Sequence, residues 1–184
     1  MIQTKKDYKD YLEADRVALG INRGIRTRIK QIIAPHYIWQ FQKKLRKLEY
    51  YKNCRKDIWG KIRCEFLRLS FKKISVKLGF SIPINVFGSG LAIVHYGTIV
   101  VNKAAKVGEN CRIHACTNIG ASAGKKEAPK IGNNVYIGPG AKIYGDIMIG
   151  NNVAIGANST VNKTFEEDYI LIAGSPAKKI KDIS

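Results

Sequence analysis

The chain of 184 residues lacks the features that mark secreted, zinc-binding and membrane-spanning proteins. Its four cysteines include no CxxC pair, and no spacing of cysteine and histidine suits zinc, so we expect no metal site. The start does not read as a secretory leader, and no apolar run approaches the roughly 18 residues that a membrane-spanning helix requires. These absences favour a reduced protein in the cytoplasm.

Glycine and proline are scarce before position 80, where Pro35 is the one proline. Apolar residues recur there at helical intervals, which predicts amphipathic helices. The main stripes are Ile38, Phe41, Leu45 and Leu48, and then Ile58, Ile62, Phe66, Leu69 and Ile74. Asp57 is placed to cap the helix of the second stripe. We expect residues 1–79 to form a helical N-terminal region and residues 80–184 a second domain.

Acidic residues are also scarce, and the formal net charge is +18. Residues 1–80 hold 21 basic and 7 acidic residues, a net +14, so the excess belongs to the helical region. No aromatic-basic motif accompanies it, so we expect no nucleic-acid partner. The basic faces could simply be solvated, or they could make a peripheral contact with an anionic membrane at its inner face. The residues of that surface would be Arg55, Lys56, Lys61, Arg63, Arg68, Lys72 and Lys73.

The second half of the chain contains a six-residue repeat of aliphatic residues. Its aliphatic residues stand six positions apart, with one gap of two sixes. They are Val101, Val107, Ile113, Ile119, Ile131, Ile137, Ile143, Ile149, Ile155 and Val161. Neither a helix nor an ordinary strand has this period, which is that of a parallel β-helix with triangular coils. We expect about five coils between Ile82 and Val161, with the aliphatic residue pointing inward and the glycine that often follows it making the corner turn.

Three segments interrupt the count. Phe87, Ile93 and Ile99 form a sixfold series offset by two residues from the later one, which predicts a bulge or corner loop between Ile99 and Val101. Residues 121–130 place a lysine at the inward position, which predicts a loop that leaves the prism and could close over a ligand. Residues 170–180 leave the count and are expected to hook over the open end of the prism.

Two of the three histidines lie in the repeat. His95 comes two positions after Ile93, beside the offset, and His114 follows inward Ile113. Since 19 residues, about one coil, separate them, they could line one cleft, or each could pack on a strand face. His36 lies in the helical region, where we expect a structural role.

These motifs together resemble the hexapeptide-repeat acyltransferases with a left-handed β-helix, and within them the serine acetyltransferase-like branch. The resemblance covers about Ser81 to the C-terminus, and the helical start is similar to proteins of surface-polysaccharide synthesis. It predicts an all-β left-handed parallel β-helix after an α-helical region. It rests on Gly88-Ser-Gly90, His95-Tyr-Gly97, Ala128-Pro-Lys-Ile131, Val135-Tyr-Ile-Gly-Pro-Gly-Ala-Lys-Ile143, Val153-Ala-Ile-Gly-Ala157 and Ala173-Gly-Ser-Pro-Ala177.

The resemblance implies a homotrimer whose active sites lie between neighbouring prisms, with acetyl-CoA as donor substrate and no metal. His95 matches the catalytic histidine of the family, and its neutral imidazole would take the proton of an acceptor hydroxyl. The alkoxide would attack the thioester, and a backbone N–H near Gly120 would hold the oxyanion. The resemblance implies that the coenzyme is lined by Gly120, Gly138, Ala157, Asn162, Lys163 and Lys178.

Two positions depart from the serine branch. Phe80 stands where the serine enzymes carry an aspartate, and Ala128 stands where they carry a histidine. This favours an O-acetyltransferase whose acceptor is a surface-polysaccharide sugar or its precursor. Phe80 and Tyr96 would contact the sugar ring, and His114 would be a second acceptor-site group. The alternatives are a serine O-acetyltransferase of cysteine biosynthesis and a β-helical scaffold protein without activity.

Overall fold

The computed structural model describes residues 1–25, 27 and 32–183. Within these residues, three helices precede the first strand: α1 (Lys5–Ala18), α2 (Tyr37–Cys54) and α3 (Ile58–Leu78). The side chain of Asp57 accepts a hydrogen bond from the Gly60 N–H, which confirms the predicted cap of α3. His36 caps α2, because its Nδ1 accepts from the Trp39 N–H, so its role is structural.

The repeat forms a left-handed parallel β-helix of five coils, as the sixfold count predicts. Three parallel faces make up the prism, which we name sheets A, B and C. Sheet A contains β1 (Phe80–Ser81), β3 (Ile99–Val101), β6 (Thr117–Gly120), β9 (Lys142–Tyr144) and β12 (Thr160–Val161). Sheet B contains β4 (Lys106–Val107), β7 (Lys130–Ile131) and β10 (Met148–Ile149), with single bridges to Phe87 and Phe165. Sheet C contains β2 (Ala92–Ile93), β5 (Arg112–Ile113), β8 (Tyr136–Ile137), β11 (Ala154–Ile155), β13 (Ile170–Gly174) and β14 (Ala177–Asp182).

The offset in the count does not produce a bulge. Ile99 and Val101 both point inward from β3, which pairs with β6 in unbroken register. Because residues two positions apart share a strand face, a three-residue strand can place both in the core. The prediction of a bulge or corner loop between Ile99 and Val101 is therefore wrong, and the offset reflects a side of the prism with two inward positions.

The glycines that follow the aliphatic residues were predicted to make the corner turns, but their structural role is different. Their φ angles lie outside the left-handed region, so they do not make the corner turns. They allow neighbouring coils to approach closely. A Cβ on Gly108 would lie 2.7 Å from the Gly132 carbonyl oxygen, and a Cβ on Gly132 would lie 2.6 Å from that of Gly150.

Asparagines make the turns between sheets B and C. Asn110, Asn134 and Asn152 each have a φ of 56°, a left-handed conformation that asparagine tolerates well. Their side chains also stack from coil to coil, because the Nδ2 of Asn110 donates to Asn134 and the Nδ2 of Asn134 donates to Asn152, at 3.0 and 2.9 Å. This ladder fixes the spacing of the coils along one corner.

A buried charge network joins the helices to the first coil. Arg46 of α2 is fully buried, and its guanidinium contacts Asp15 of α1 and Glu49 of α2 at 2.8 and 3.1 Å. It also donates to the carbonyl oxygens of Phe87 and Gly88 in the first coil. The helical region is thus anchored to the prism by hydrogen bonds from several elements.

Helix α3 carries two apolar faces. Cys64, Phe71, Ile74 and Leu78 are buried in the core, whereas the other predicted members of its stripe are exposed to solvent. Of the predicted stripe only Ile74 packs in the core, and Ile58, Ile62, Phe66 and Leu69 form a second apolar face toward solvent. None of the helices among the described residues has the length and hydropathy needed to cross a membrane.

The end of the chain folds back on the last coil. Strands β13 and β14 form an antiparallel hairpin at the end of sheet C, after four parallel strands. The predicted hook is therefore present. The predicted loop is present as well, since residues 121–127 lie outside the prism between β6 and β7.

Candidate functional site

Successive turns from sheet C into sheet A form one edge of the prism, which we call the histidine edge (residues 94–98, 114–116, 138–141 and 156–159). Backbone hydrogen bonds hold these turns in line. The Val94, His114 and Gly138 N–H groups donate to carbonyl oxygens one coil further on, at 2.9 to 3.2 Å. Side chains from different coils are therefore stacked along this edge.

His95 and His114 lie on adjacent turns of the histidine edge. Their ring centroids are 5.9 Å apart, and the ring of His114 lies 5.0 Å from that of Tyr136 on sheet C. His95 is exposed and His114 is half-buried. The two histidines therefore lie side by side, with His95 exposed to solvent and His114 deeper, and we call the surface around them the cleft.

His114 is held in an unusual state. Its Nε2 atom is buried and finds no hydrogen-bond partner among the described residues. Burial lowers the pKa of His114, and the charge of Arg112, together with that of His95 when it is protonated, lowers it further. A neutral imidazole is thus favoured at this position beside the exposed histidine.

The candidate coenzyme residues fall on two edges of sheet A, apart from Lys178. Gly138 and Ala157 adjoin each other on the histidine edge, where a Cβ on Gly138 would lie 2.8 Å from the Ala157 nitrogen. Lys178 pairs with Ala173 at the far end of sheet C. Gly120 and Asn162 instead lie where the chain leaves sheet A, and Lys163 follows them. We call this second border, with its turns and residues 121–129, the loop edge.

Sheet A separates the two edges within one chain. Strand β6 crosses it from Thr117 to Gly120, a distance of about 10 Å or more at roughly 3.3 Å per residue. The Gly120 N–H is therefore not placed to serve His95 of the same prism. An arrangement that uses both edges requires two neighbouring prisms.

The two aromatic residues expected at the acceptor differ in exposure. Tyr96 is exposed beside His95. Phe80 is buried in the core, where its ring packs at 75° to the Phe41 ring with the two centroids 5.0 Å apart. The prediction that Phe80 contacts an acceptor is wrong for this reason, and Ala128 is buried as well.

Two residues near His114 were not predicted from the sequence. Arg112 and Tyr136 lie opposite each other on the outer face of sheet C, beside His114. Their alternation with the inward residues Ile113 and Ile137 shows that they face outward. The sequence pattern does not show, however, that Arg112 and Tyr136 lie beside His114.

Comparisons with known proteins agree with this architecture. The sequence model of a protein family, the bacterial transferase hexapeptide (six repeats), matches residues 128–163. A serine acetyltransferase of Synechococcus elongatus is 37% identical over 95 residues, which are 50% of this chain and 38% of the relative. One of Buchnera aphidicola is 35% identical over 130 residues, 68% of this chain and 49% of the relative. The chain thus spans about half the length of these relatives or less.

A solved structure has the same fold over nearly the whole chain. The serine acetyltransferase of Brucella abortus, in complex with coenzyme A, has a TM-score of 0.75 and 24% sequence identity, and the match covers 98% of this chain and 70% of that one.

These findings overturn the prediction of a polysaccharide acceptor. The relatives at 35 to 37% identity are serine acetyltransferases, which favours the alternative reading. The chain thus contains hexapeptide repeats that match this transferase family model over residues 128–163, and it is similar to serine acetyltransferases over about half of their length or less.

Proposed function

We propose that the protein is an acetyl-CoA-dependent O-acetyltransferase whose acceptor is L-serine. The observation that carries the proposal is His95, an exposed histidine that begins a continuous edge of a β-helix related to serine acetyltransferases. A general base and a long narrow ligand track on one edge suit acyl transfer from a large thioester to a small hydroxyl.

In the proposed reaction, His95 takes the proton of the serine hydroxyl while the oxygen attacks the thioester carbonyl. The tetrahedral adduct collapses, the C–S bond breaks, and the CoA thiolate takes up the proton from His95. His114 supports this step because a neutral ring beside His95 adds no second positive charge to the cleft.

The histidine edge is suited to a coenzyme with a long arm. From His95 to Ala173 it passes over four coil spacings, about 19 Å at roughly 4.8 Å per coil. Gly138 and Ala157 leave the track free of large side chains, and Lys178 offers a cation for phosphate near its end. On the loop edge, Asn162 and Lys163 are exposed and would reach the coenzyme from a neighbouring prism.

The acceptor requires a cation for its carboxylate, and Arg112 is our candidate. It lies opposite Tyr136, whose ring centroid is 5.0 Å from that of His114, and its side chain is exposed on sheet C. A guanidinium can hold a carboxylate through two parallel hydrogen bonds. This role would compensate for Phe80 and Ala128, which offer no polar side chain.

We also propose a homotrimer with the site between prisms. The separation of His95 and Gly120 by sheet A supports this, because a neighbouring prism could bring its loop edge to the histidine edge. The oxyanion would then be held by the Gly120 N–H of the neighbouring subunit.

The decisive measurement is the formation of O-acetylserine and CoA from acetyl-CoA and L-serine, followed by chromatography. We expect saturable turnover with L-serine and none with glycine, which lacks the hydroxyl. Replacing Arg112 with Gln should raise the KM for serine while CoA binding is kept, and Lys106→Gln on sheet B is the matched control. Coenzyme binding without any turnover of serine would overturn the proposal, and absence of coenzyme binding would favour the scaffold alternative.

A further inference from the structure

The outer face of α3 carries a line of exposed apolar side chains, which we call the outer stripe. It consists of Trp59, Ile62, Phe66, Leu69 and Val76. Their spacing of three, four, three and seven residues places them on one side of the helix. Trp59, Phe66 and Val76 are 75%, 69% and 74% exposed. Such a patch on an otherwise folded surface marks an interaction site.

The stripe is not left over from core packing. The opposite side of α3 is already buried through Phe71, Ile74 and Leu78. The outer side chains therefore add nothing to the core of this chain, although Trp59, Ile62 and Phe66 line a shallow apolar groove. Only a binding partner other than the described residues can remove these side chains from water.

Basic side chains border the stripe on both sides. At 100° per residue, Lys61, Arg68 and Lys72 follow one border and Arg63 follows the other. Lys73 lies within the stripe, between Leu69 and Val76, and Lys77 lies in line with Trp59. Over the whole of α3, six basic residues stand against the single acid Glu65. Pairing of two α3 helices from separate copies would bring these like charges together, which opposes a second copy as the occupant.

We propose that the outer stripe docks on an anionic lipid surface. An apolar helix face with bulky aromatics between basic borders can lie in the membrane interface, with the apolar side chains in the acyl boundary and the cations at the headgroups. Basic residues near a negatively charged leaflet strengthen such a contact by electrostatic attraction. This contact does not involve the histidine edge and stands independently of the proposed chemistry.

The test is co-sedimentation of the full-length protein with vesicles of phosphatidylcholine alone and of phosphatidylcholine with phosphatidylglycerol. We expect binding to the mixed vesicles, weakened by salt, with a blue shift of Trp59 fluorescence. Phe66→Ser should weaken binding by roughly tenfold or more, from the loss of a large buried side chain. Tyr169→Ser, at an exposed aromatic on the far end of the prism, is the matched control and should bind normally.

A charge variant separates the two contributions. Replacing Lys61, Arg68 and Lys72 with Gln should abolish the preference for phosphatidylglycerol, while O-acetylserine formation stays at the wild-type level. Equal binding to neutral and anionic vesicles, or no binding to either, would overturn the proposal. So would a change of oligomeric state caused by Phe66→Ser in the absence of lipid, because it would identify a second copy as the occupant.

Discussion

At the scale of single residues, the proposed chemistry depends on His95. We expect His95→Ala to lower kcat by about 100-fold or more, because a positioned general base contributes that much. Coenzyme binding, measured by calorimetry, should stay nearly unchanged. His36→Asn is the control, since asparagine can replace the α2 cap far from the cleft. Full activity of His95→Ala would remove this residue from the mechanism.

His114 should make the fold sensitive to mild acid. Because its pKa is lowered in the folded state, the unfolded chain binds a proton more readily. The stability that depends on the neutral ring is present above the unfolded pKa of about 6.5 and is lost as the pH falls below it. We expect His114→Phe to lose less unfolding free energy than the wild type between about pH 7.5 and pH 5.5. Urea unfolding of both proteins at each pH would check this. The same change of unfolding free energy with pH in both proteins would contradict it.

The sequence brings these histidines to one cleft, because a separation of about one coil has a clear meaning in a sixfold repeat. It misses Arg46, since a charged residue in a helical pattern is normally read as exposed. The partner carboxylate of Asp15 is 31 positions away and is itself buried. Nothing in the local pattern reveals that the two lie together.

At the scale of secondary-structure elements, this network should hold the helical region to the prism. Arg46→Met leaves Asp15 and Glu49 buried without their cation, so we expect a loss of about 3–5 kcal/mol of stability. Arg68→Met removes an exposed pair with Glu65 and should cost about 1 kcal/mol or less. Urea unfolding at a fixed protein concentration would compare them. Equal losses for both variants would show that the buried network contributes no more than a surface pair.

The coil spacing gives a second test at this scale. A methyl group on Gly132 would collide with the Gly150 carbonyl oxygen, so Gly132→Ala should cost about 1–3 kcal/mol through forced backbone shifts. In Gly120→Ala the nearest atom is the amide oxygen of Asn118, a side chain that can move. The thermal midpoint of that control should stay near the wild-type value. If both variants melted alike, close packing of the coils would not explain the glycine repeat.

The elements also show where a sequence pattern is ambiguous. The sixfold count predicts the strands and their inward faces, because a six-residue apolar period fits a β-helix with triangular coils and neither a helix nor an ordinary strand. In α3, however, apolar residues occupy two faces, and helical periodicity alone cannot say which face the core covers. Only the position of the prism decides this, and it selects Phe71 and Ile74 over Phe66 and Leu69.

At the scale of the whole molecule, the proposed shared site predicts complementation between inactive variants. His95→Ala and Gly120→Val each damage a different edge of sheet A. Every mixed trimer contains one intact junction out of three, so about a third of the wild-type activity should return in the mixed assemblies. Co-expression of the two variants with different affinity tags, followed by O-acetylserine assays of the doubly tagged fraction, would measure it. Inactive mixed trimers would argue that each prism works alone.

The hairpin at the end of sheet C has a consequence for solubility. A parallel β-helix ends in strands whose N–H and C=O groups can template the addition of another prism. Strand β14 reverses direction, and it presents Lys178, Lys179 and Lys181 at that border. Positive charge and reversed polarity together discourage end-to-end growth into filaments. The last strand of the hairpin therefore acts as a terminator of polymerisation, and the same five coils without it would be a candidate building block for fibres.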